Sequence, residues 1–258
     1  MPILHEIAAE AVPSIELDIW SERLNANQVK LTSLAGLSSL DRDYLRSCVP
    51  IGSVEFTEKV MELGWECTRG IIPINIPFDM SSCSLWKRRM AYACGEDGVR
   101  SVFDDWEEER LFIKSADRVK APFTGIYKRD DPAEPYKDEQ RLLVSTVLPL
   151  ETDQCSEWRI FVKSHEFVDM KCYSGNPWVL PDKKTVEQVI SNLPKNRRAY
   201  TADVAVTDKG ETVIIELHNF VACGAYGAEL PLSMYRYGYL DELKQHGKNF
   251  FLEDTDAV

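Results

Sequence analysis

Residues 200–220 read YTADVAVTDKGETVIIELHNF, and this segment is the clearest indication of the fold in the sequence. Two apolar strands flank the segment DKG, a pattern typical of a β-hairpin. Each strand carries one acid among its apolar residues, Asp203 in the first and Glu216 in the second. If Lys209 and Gly210 alone form the turn, the two acids are directly opposed, with Cβ atoms about 4.5–5.5 Å apart. A three-residue turn would shift the register by one residue and break this pairing.

Two like charges at this spacing repel each other, so the pair predicts a positive partner between them. Mg²⁺ is the simplest candidate, because it favours one or two protein carboxylates together with substrate phosphates. His218 and Asn219 lie just beyond Glu216 and are further candidate ligands. On this interpretation, Asp203→Asn is expected to leave the metal-free protein as stable or slightly more stable. The alternative is two acids on a solvated face, each paired with a lysine.

Lys114 ends the apolar segment RLFIK, ahead of a loop that contains Lys120 and closes with Phe123, Thr124 and Gly125. A lysine that points from a strand into a flexible loop can neutralise phosphate oxygens. The alternative is an ordinary surface lysine. No Walker motif occurs in the chain, so P-loop chemistry is disfavoured.

Arg159 lies in the segment EWRIFV, where most of its neighbours are apolar. A guanidinium keeps its charge in such surroundings and therefore needs an anionic partner. That partner is either a phosphate or an internal acid such as Glu157.

The composition excludes several classes of protein. The chain has 258 residues, of which 44% are hydrophobic and 28% charged, as in a globular protein of one large domain or two small lobes. A net charge of −12 disfavours nucleic-acid and membrane-surface binding. We expect a cytoplasmic protein, because no signal peptide and no apolar run of membrane-spanning length is visible. Seven cysteines without a C-x-x-C pair favour neither a zinc site nor a disulfide framework.

Before residue 110 the pattern mixes helices and strands. It predicts a strand over 49–56, a helix over 57–63 with Thr57 as the N-cap, and a short helix over 86–94 that Gly95 ends. After residue 110 strands dominate, with one helix, and the predicted segments are strands over 110–114, 141–150, 158–162 and 167–173 and a helix over 185–193. The sum predicts an α+β protein with two lobes.

Taken in order, these pieces resemble the ATP-grasp superfamily, and most closely its clade of small phage and bacterial proteins named for two arginines and a lysine. The matching stretches are PIGSVEF, FIKSADRVKAPFTG, SEWRIFV and the hairpin. The resemblance implies an α+β ATP-grasp fold, in which two α+β lobes clasp a nucleotide after a small α/β N-terminal lobe. We therefore expect the N-terminal lobe over 1–90 and the ATP-grasp domain over 91–258, with lobes at about 91–145 and 150–258.

The resemblance also implies ATP and Mg²⁺ as cofactors and gives roles to the candidate residues. Lys114 and Arg159 are the expected catalytic residues, and both contact the nucleotide. The remaining expected ATP-binding residues come from the loop and from the linker between the lobes, whose backbone pairs with adenine: Lys120, Phe123, Thr124, Gly125, Ser145, Thr146, Val147 and Leu148.

For the metal, the family pattern is Glu-x-Asn, and this chain departs from it. Asp203 and Glu216 match the two acids, but position 218 is His and the asparagine falls at 219. Either His218 substitutes for the usual asparagine, or Asn219 moves in, or metal binding is weakened.

The function that the resemblance implies is an ATP-dependent carboxylate–amine ligase of the peptide type. In such enzymes ATP phosphorylates a substrate carboxylate, and an amine-type nucleophile attacks the acylphosphate. The expected partners are a small-molecule or peptide carboxylate and an amine, with no nucleic acid and no membrane. The alternative is a catalytically weak ATP-binding assembly factor or sensor of the same fold, like the cell-division-cycle assembly factors. A plain structural protein, the third possibility, would have no affinity for ATP.

Overall fold

The computed structural model describes residues 2–7, 29–74, 84–150, 153–192, 196–221 and 223–248. Within these residues the chain forms one three-stranded sheet and two four-stranded sheets, with helices packed on each. The predicted α+β class is confirmed.

The first sheet is parallel and has the strand order β2-β1-β3. Its strands are β1 (Ile3–Glu6), β2 (Val29–Thr32) and β3 (Val49–Ile51). The helices between and after these strands are a 3-10 helix (Ala35–Ser39), α1 (Arg42–Ser47) and α2 (Val54–Trp65).

The predicted boundary between β3 and α2 is wrong by several residues. The strand ends at Ile51, and the helix begins at Val54 rather than at residue 57. Ser53 is the N-cap, because its side chain accepts a hydrogen bond from Phe56 N at 3.1 Å. Thr57, the predicted cap, lies inside the helix and is fully buried.

The second sheet is antiparallel, with the order β4-β7-β5-β6. Its elements are β4 (Met90–Ala93), α3 (Gly95–Trp106), β5 (Arg110–Ser115), β6 (Gly125–Lys128) and β7 (Leu142–Thr146). The strands predicted over 110–114 and from residue 141 are confirmed, although β7 ends at Thr146.

The helix predicted over 86–94 is wrong. Met90–Ala93 form the edge strand β4, and the helix follows it, starting at Gly95. Gly95 has a φ of +55°, and a Cβ there would lie 2.5 Å from Lys137 O. The glycine that was expected to end a helix therefore makes the sharp entry into the next one, because only glycine fits this conformation and this contact.

The third sheet is antiparallel, with the order β11-β10-β8-β9. Its elements are β8 (Ser156–Lys163), β9 (Glu166–Gly175), α4 (Lys183–Asn192), β10 (Ala199–Val206) and β11 (Thr212–Asn219). The predicted strand pair and the predicted hairpin are confirmed. The helix starts two residues earlier than expected.

A last helix, α5 (Leu232–Gln245), joins the third sheet to the first. Met234 packs against the third sheet, while Tyr239 and Leu243 pack in the core of the first. Gly238 lies between these contacts, where a Cβ would be 2.1 Å from Phe220 O. The helix can approach the end of β11 this closely only because residue 238 has no side chain.

None of the helices in the described ranges has both the length and the apolar character needed to cross a membrane. The division of the chain at residue 90, and of the second part into lobes at about 91–145 and 150–258, stays a prediction.

We expect Gly238→Ala to destabilise the protein by about 1–3 kcal/mol, the usual cost of overpacking, although alanine is the better helix former. Urea unfolding monitored by circular dichroism measures this change. Gly64→Ala in α2 is the matched control, because a Cβ there makes an ordinary contact of 3.4 Å with Leu45. Equal stability of Gly238→Ala and the wild type would contradict the close approach of α5.

Candidate functional site

A cavity of about 710 Å³ lies between the two four-stranded sheets. One wall carries Lys114 of β5 and Ser145 of β7. The other carries Arg159 of β8, Asp203 of β10 and Glu216 of β11. Its volume is within the range of about 300–1,000 Å³ that is common for small-molecule and cofactor sites.

The turn of the β10–β11 hairpin is one residue longer than expected. Thr207 N donates to Glu211 O at 3.0 Å, which leaves the three residues DKG between them. The two-residue turn is therefore wrong. On a regular ladder, a three-residue turn would place Asp203 opposite Ile215 and turn Glu216 to the other face of the sheet.

A β-bulge restores the pairing of the two acids. Val204 pairs with Ile214, whereas Asp203 pairs with Glu216, so Ile215 is an extra residue in β11. A bulge of this kind re-aims the side chains that follow it. The predicted opposition of Asp203 and Glu216 is confirmed, but it depends on the bulge rather than on the turn.

Three basic side chains surround the two acids. Lys114 Nζ lies 2.8 Å from Glu216 Oε2, and Arg159 donates from Nε and Nη2 to the two Asp203 oxygens, both at 2.8 Å. His218 Nε2 lies 2.8 Å from Glu216 Oε1 and 3.3 Å from Asp203 Oδ2. The positive partner predicted between the acids is thus supplied by the protein itself.

The surroundings hold Asp203, Glu216 and His218 in their charged forms. Burial opposes ionisation of Glu216, but Lys114 and His218 outweigh it and lower the pKa of Glu216. Burial also opposes ionisation of Asp203, but Arg159 and His218 lower its pKa. For His218, burial disfavours the cation, yet hydrogen bonds to both acids raise its pKa to about 9. At neutral pH the cluster therefore carries two negative and three positive charges.

The same cluster has the donor set of a metal site. Asp203, Glu216 and His218 each offer one ligand atom, and these three atoms lie within 4.8 Å of one another. Two carboxylates suit Mg²⁺, and an imidazole nitrogen is a common ligand of divalent transition metals. The residues present therefore fit a divalent cation.

Arg159 is 7% exposed, and the acid that it pairs with is Asp203. Glu157, the partner considered from the sequence, instead accepts a hydrogen bond from Tyr173 Oη at 2.9 Å. The rings of Tyr173 and Tyr226 lie 5.7 and 5.2 Å from the Arg159 guanidinium carbon. Arg159 Nη1 also donates to Gly224 O at 3.3 Å, and the residue lines the cavity.

The buried ion pair reverses the effect expected for Asp203→Asn. Asp203 is 2% exposed, and both of its oxygens accept from Arg159. Removing the negative charge leaves the guanidinium buried without compensation, which typically costs about 3–5 kcal/mol. The metal-free protein is then less stable, not more.

The sequence profile of the ATP-grasp domain of the clade named for two arginines and a lysine, family 2, matches residues 95–233, just over half of the 258 residues. The chain belongs to this family. The profile covers the third sheet and all of the second sheet except β4, and it includes Lys114, Arg159, Asp203 and Glu216. The clade inferred from the sequence is therefore confirmed.

Solved structures share the ATP-grasp fold along nearly the whole chain. D-cycloserine synthetase DcsG aligns over 94% of this chain and 99% of its own, with 11% identity and a TM-score of 0.54. Macrocyclase MdnC from Microcystis aeruginosa MRC, bound with precursor peptide MdnA, aligns over 96% and 100%, with 12% identity and a TM-score of 0.50. At these identities the likeness shows the fold alone. No curated protein matches the chain.

Of the two candidates for the third metal ligand in this ATP-grasp domain, His218 contacts both acids, whereas the side chain of Asn219, which also lines the cavity, makes its hydrogen bonds elsewhere. The Asn219 amide donates to Ile72 O at 2.7 Å and to the Glu242 carboxylate, and it accepts from Ile74 N at 3.1 Å. Asn219 is thus fully engaged in fixing the segment around Ile72 to β11 and α5.

The expected ATP-binding loop is only partly on the cavity. Lys120 and Thr124 line it together with Lys114, whereas Phe123 and Gly125 are not among its lining residues. Phe123 is 6% exposed and packs in the core of the second sheet, and Gly125 is the first residue of β6.

The expected adenine linker does line the cavity. Ser145 and Thr146 end β7, and Val147 and Leu148 follow them along the same wall. Thr146 N donates to Arg89 O at 3.1 Å, so strand pairing continues to this residue.

Sequence reasoning missed Arg88 and Tyr173, which also line the cavity. Arg88 falls in the predicted helix that does not form. In an extended segment, alternation places residues 88 and 90 on one face, and both Arg88 and Met90 line the cavity. The alternation of side chains over residues 88–90, which leads into β4, was therefore the sequence signal for Arg88.

We expect the raised pKa of His218 to make the stability of the metal-free protein depend on pH. The unfolded chain loses this proton near the ordinary value of 6.5, but the native protein keeps it until about pH 9. Stability contributed by His218⁺ is complete below pH 6.5 and is lost as the pH rises towards 9. The difference in unfolding free energy between wild type and His218→Asn should shrink by up to about 1.4 kcal/mol per pH unit in this window.

Urea unfolding in EDTA between pH 6 and 9 measures this difference. His165→Asn, at an exposed position in the β8–β9 turn, is the matched control and should show no such slope. A pH-independent difference for His218→Asn would mean that the imidazole does not bind the two acids.

Proposed function

We propose that the protein is an ATP-dependent carboxylate–amine ligase that acts through an acylphosphate intermediate. The observation that carries the proposal is the cluster of Lys114, Arg159 and His218 around Asp203 and Glu216 on one cavity. Membership of the ATP-grasp family supports the same chemistry.

The charge of the cluster favours a nucleotide. The chain as a whole has a net charge of −12, but this group has one more positive than negative charge. Phosphoryl transfer requires positioning and charge neutralisation more than covalent help from the protein. A locally cationic cavity in an acidic protein meets this requirement.

In the proposed reaction the cluster exchanges its internal partners for the substrates. Asp203 and Glu216 would hold Mg²⁺, with the imidazole of His218 as the third donor after it has lost its proton to water, because only the neutral ring has a free lone pair. The bound ion would supply charge neutralisation at the phosphates. Lys114 leaves Glu216 for phosphate oxygens, and the free N–H groups of Arg159 contact the phosphates or the acylphosphate. No side-chain nucleophile is needed.

The remaining cavity residues are proposed to hold the nucleoside and to shape the cleft. The backbone of residues 145–148 pairs with the adenine edge, and Lys120 and Thr124 contact the phosphates. On this proposal residues 1–90 form a separate N-terminal lobe, and the nucleotide lies between lobes at about 91–145 and 150–258.

The proposed reaction couples two substrates. A carboxylate oxygen attacks the γ-phosphorus and ADP leaves; an amine nitrogen then attacks the acyl carbon, phosphate leaves and the amine loses a proton. The carboxylate belongs to a small molecule or a peptide. The fold similarity to a synthetase and to a macrocyclase bound with a precursor peptide supports both possibilities.

The proposal predicts that the protein with Mg·ATP and a pool of amino acids and short peptides releases ADP and forms a hydroxamate when hydroxylamine is added. Hydroxylamine traps acylphosphates, so mass spectrometry of the hydroxamate also identifies the carboxylate. Lys114→Met should weaken ATP binding by about 10- to 150-fold, since a charged hydrogen bond contributes about 1.5–3 kcal/mol.

Lys183→Met is the matched control, because this lysine side chain is 90% exposed. ATP binding without ADP release or hydroxamate for any carboxylate would favour the assembly-factor or sensor alternative. Absence of ATP binding, or equal affinity of Lys114→Met and wild type, would overturn the proposal.

A further inference from the structure

The bulge at Ile215 lies in β11, which forms one edge of the third sheet. β11 is an edge strand, so one row of its backbone groups faces away from β10 without a strand partner. The chain before β4 runs along this edge, where Ile214 N donates to Leu85 O at 2.9 Å. The edge is thus covered at the point where the register changes.

Arg88 satisfies the two carbonyls at the bulge. Its Nη1 donates to Ile214 O at 3.0 Å, and its Nη2 donates to Ile215 O. A planar guanidinium presents parallel N–H groups in a fixed fork, which suits two neighbouring oxygens. These are the carbonyls of the extra residue, Ile215, and of the residue before it, Ile214, whose N–H also bonds outward to Leu85 O.

The guanidinium occupies this position at an energetic cost. Burial lowers the pKa of Arg88 to about 10, although the negative charge of Glu216 acts in the opposite direction. A desolvated charge is retained only where its hydrogen bonds and charge partners offset the penalty. The bonds to the bulge, the nearby Glu216 carboxylate and the Trp86 ring, whose centroid lies 5.5 Å from the guanidinium carbon, offset it here.

Arg88 also connects the two walls of the cavity. It lies two residues before Met90, the first residue of β4, and its side chain reaches across to β11. Lys114, from β5 of the same sheet, makes the other contact across the cleft, to Glu216. The bulge is therefore held by the segment that leads into β4, and the carboxylate next to it is held by β5 of the opposite sheet.

We propose that Arg88 is a positioning residue for Glu216: by binding the carbonyls of Ile214 and Ile215 it holds the β-bulge that sets the Glu216 carboxylate opposite Asp203. This inference rests on the proposed function in one respect, namely that Glu216 binds the metal.

The test measures metal affinity separately from nucleotide affinity. Mn²⁺, observed by electron paramagnetic resonance, is titrated into the protein saturated with a non-hydrolysable ATP analogue, and the affinity for the analogue is also measured in EDTA. Arg88→Met retains most of the side-chain volume without any donor. We expect it to weaken Mn²⁺ binding by about tenfold, the effect of one or two lost hydrogen bonds, and to weaken metal-free analogue binding clearly less than this, because Arg88 lines the cavity but donates to the bulge.

Arg88→Lys separates charge from geometry and serves as the second variant if Arg88→Met does not fold. It keeps the positive charge but not the fork, so Mn²⁺ binding should remain weakened. Arg89→Met is the matched control, because the Arg89 side chain is 49% exposed and pairs with Glu108. Hydrogen exchange of peptides covering 212–219 should accelerate in both Arg88 variants and not in the control.

The outcomes distinguish this inference from the proposed function. Wild-type metal affinity and unchanged exchange in Arg88→Met would overturn the positioning role while leaving the metal site intact. Full restoration by Arg88→Lys would show that charge matters rather than the hydrogen-bonded register. Failure of the wild type itself to bind Mn²⁺ with the analogue would overturn the proposed function and, with it, this role of Arg88.

Discussion

Asp203 and Glu216 face each other across a bulged hairpin, and the rest of the site depends on this opposition. Two carboxylates so close together repel each other unless cations lie between or beside them. The cations come from different elements: Lys114 from β5 of the opposite sheet, Arg159 from the neighbouring strand, and His218 from β11 itself. Of these three cations, Lys114 is the one that links the two sheets across the cavity.

The same network explains how an acidic protein of this family can attract a nucleotide. Its basic groups are concentrated where phosphates are proposed to bind, and their internal ion pairs keep them in place without a ligand. In the proposed reaction Lys114 moves from Glu216 to a phosphate as a cation takes its place, and this exchange would link metal binding to nucleotide binding through one shared carboxylate. Arg159 keeps its buried bidentate pair with Asp203. On the proposed mechanism it contacts the phosphates without changing its partner or its orientation.

Much of the fold and part of the site could be predicted from the sequence, and each wrong prediction has a physical cause. Strand patterns correctly predicted the strands of the third sheet. The opposition of the two acids was predicted from the assumed turn and not from alternation, and it holds because of the bulge. The turn was predicted one residue too short, and the error was concealed by Ile215, whose bulge no periodicity could indicate. The segment before Gly95 was predicted to be a helix because glycine often ends helices, whereas here its positive φ starts one.

Asn219 was a candidate metal ligand because of its spacing from Glu216, but the distant Glu242 and Ile72 engage its amide. Long-range contacts of this kind are not visible in one sequence.

The most direct test of the proposed metal site is a calorimetric titration of Mg²⁺ into wild type and Glu216→Gln, each saturated with a non-hydrolysable ATP analogue. Glu216→Gln is preferable to a change at Asp203, because it leaves the buried Arg159–Asp203 pair intact. We expect one saturable Mg²⁺ site in the wild type. Its Mg²⁺ affinity should be about tenfold or more lower in the variant, since one charged ligand contact is lost. Equal Mg²⁺ affinity in the two proteins would contradict it, because the opposed carboxylates would then have no part in binding metal and nucleotide.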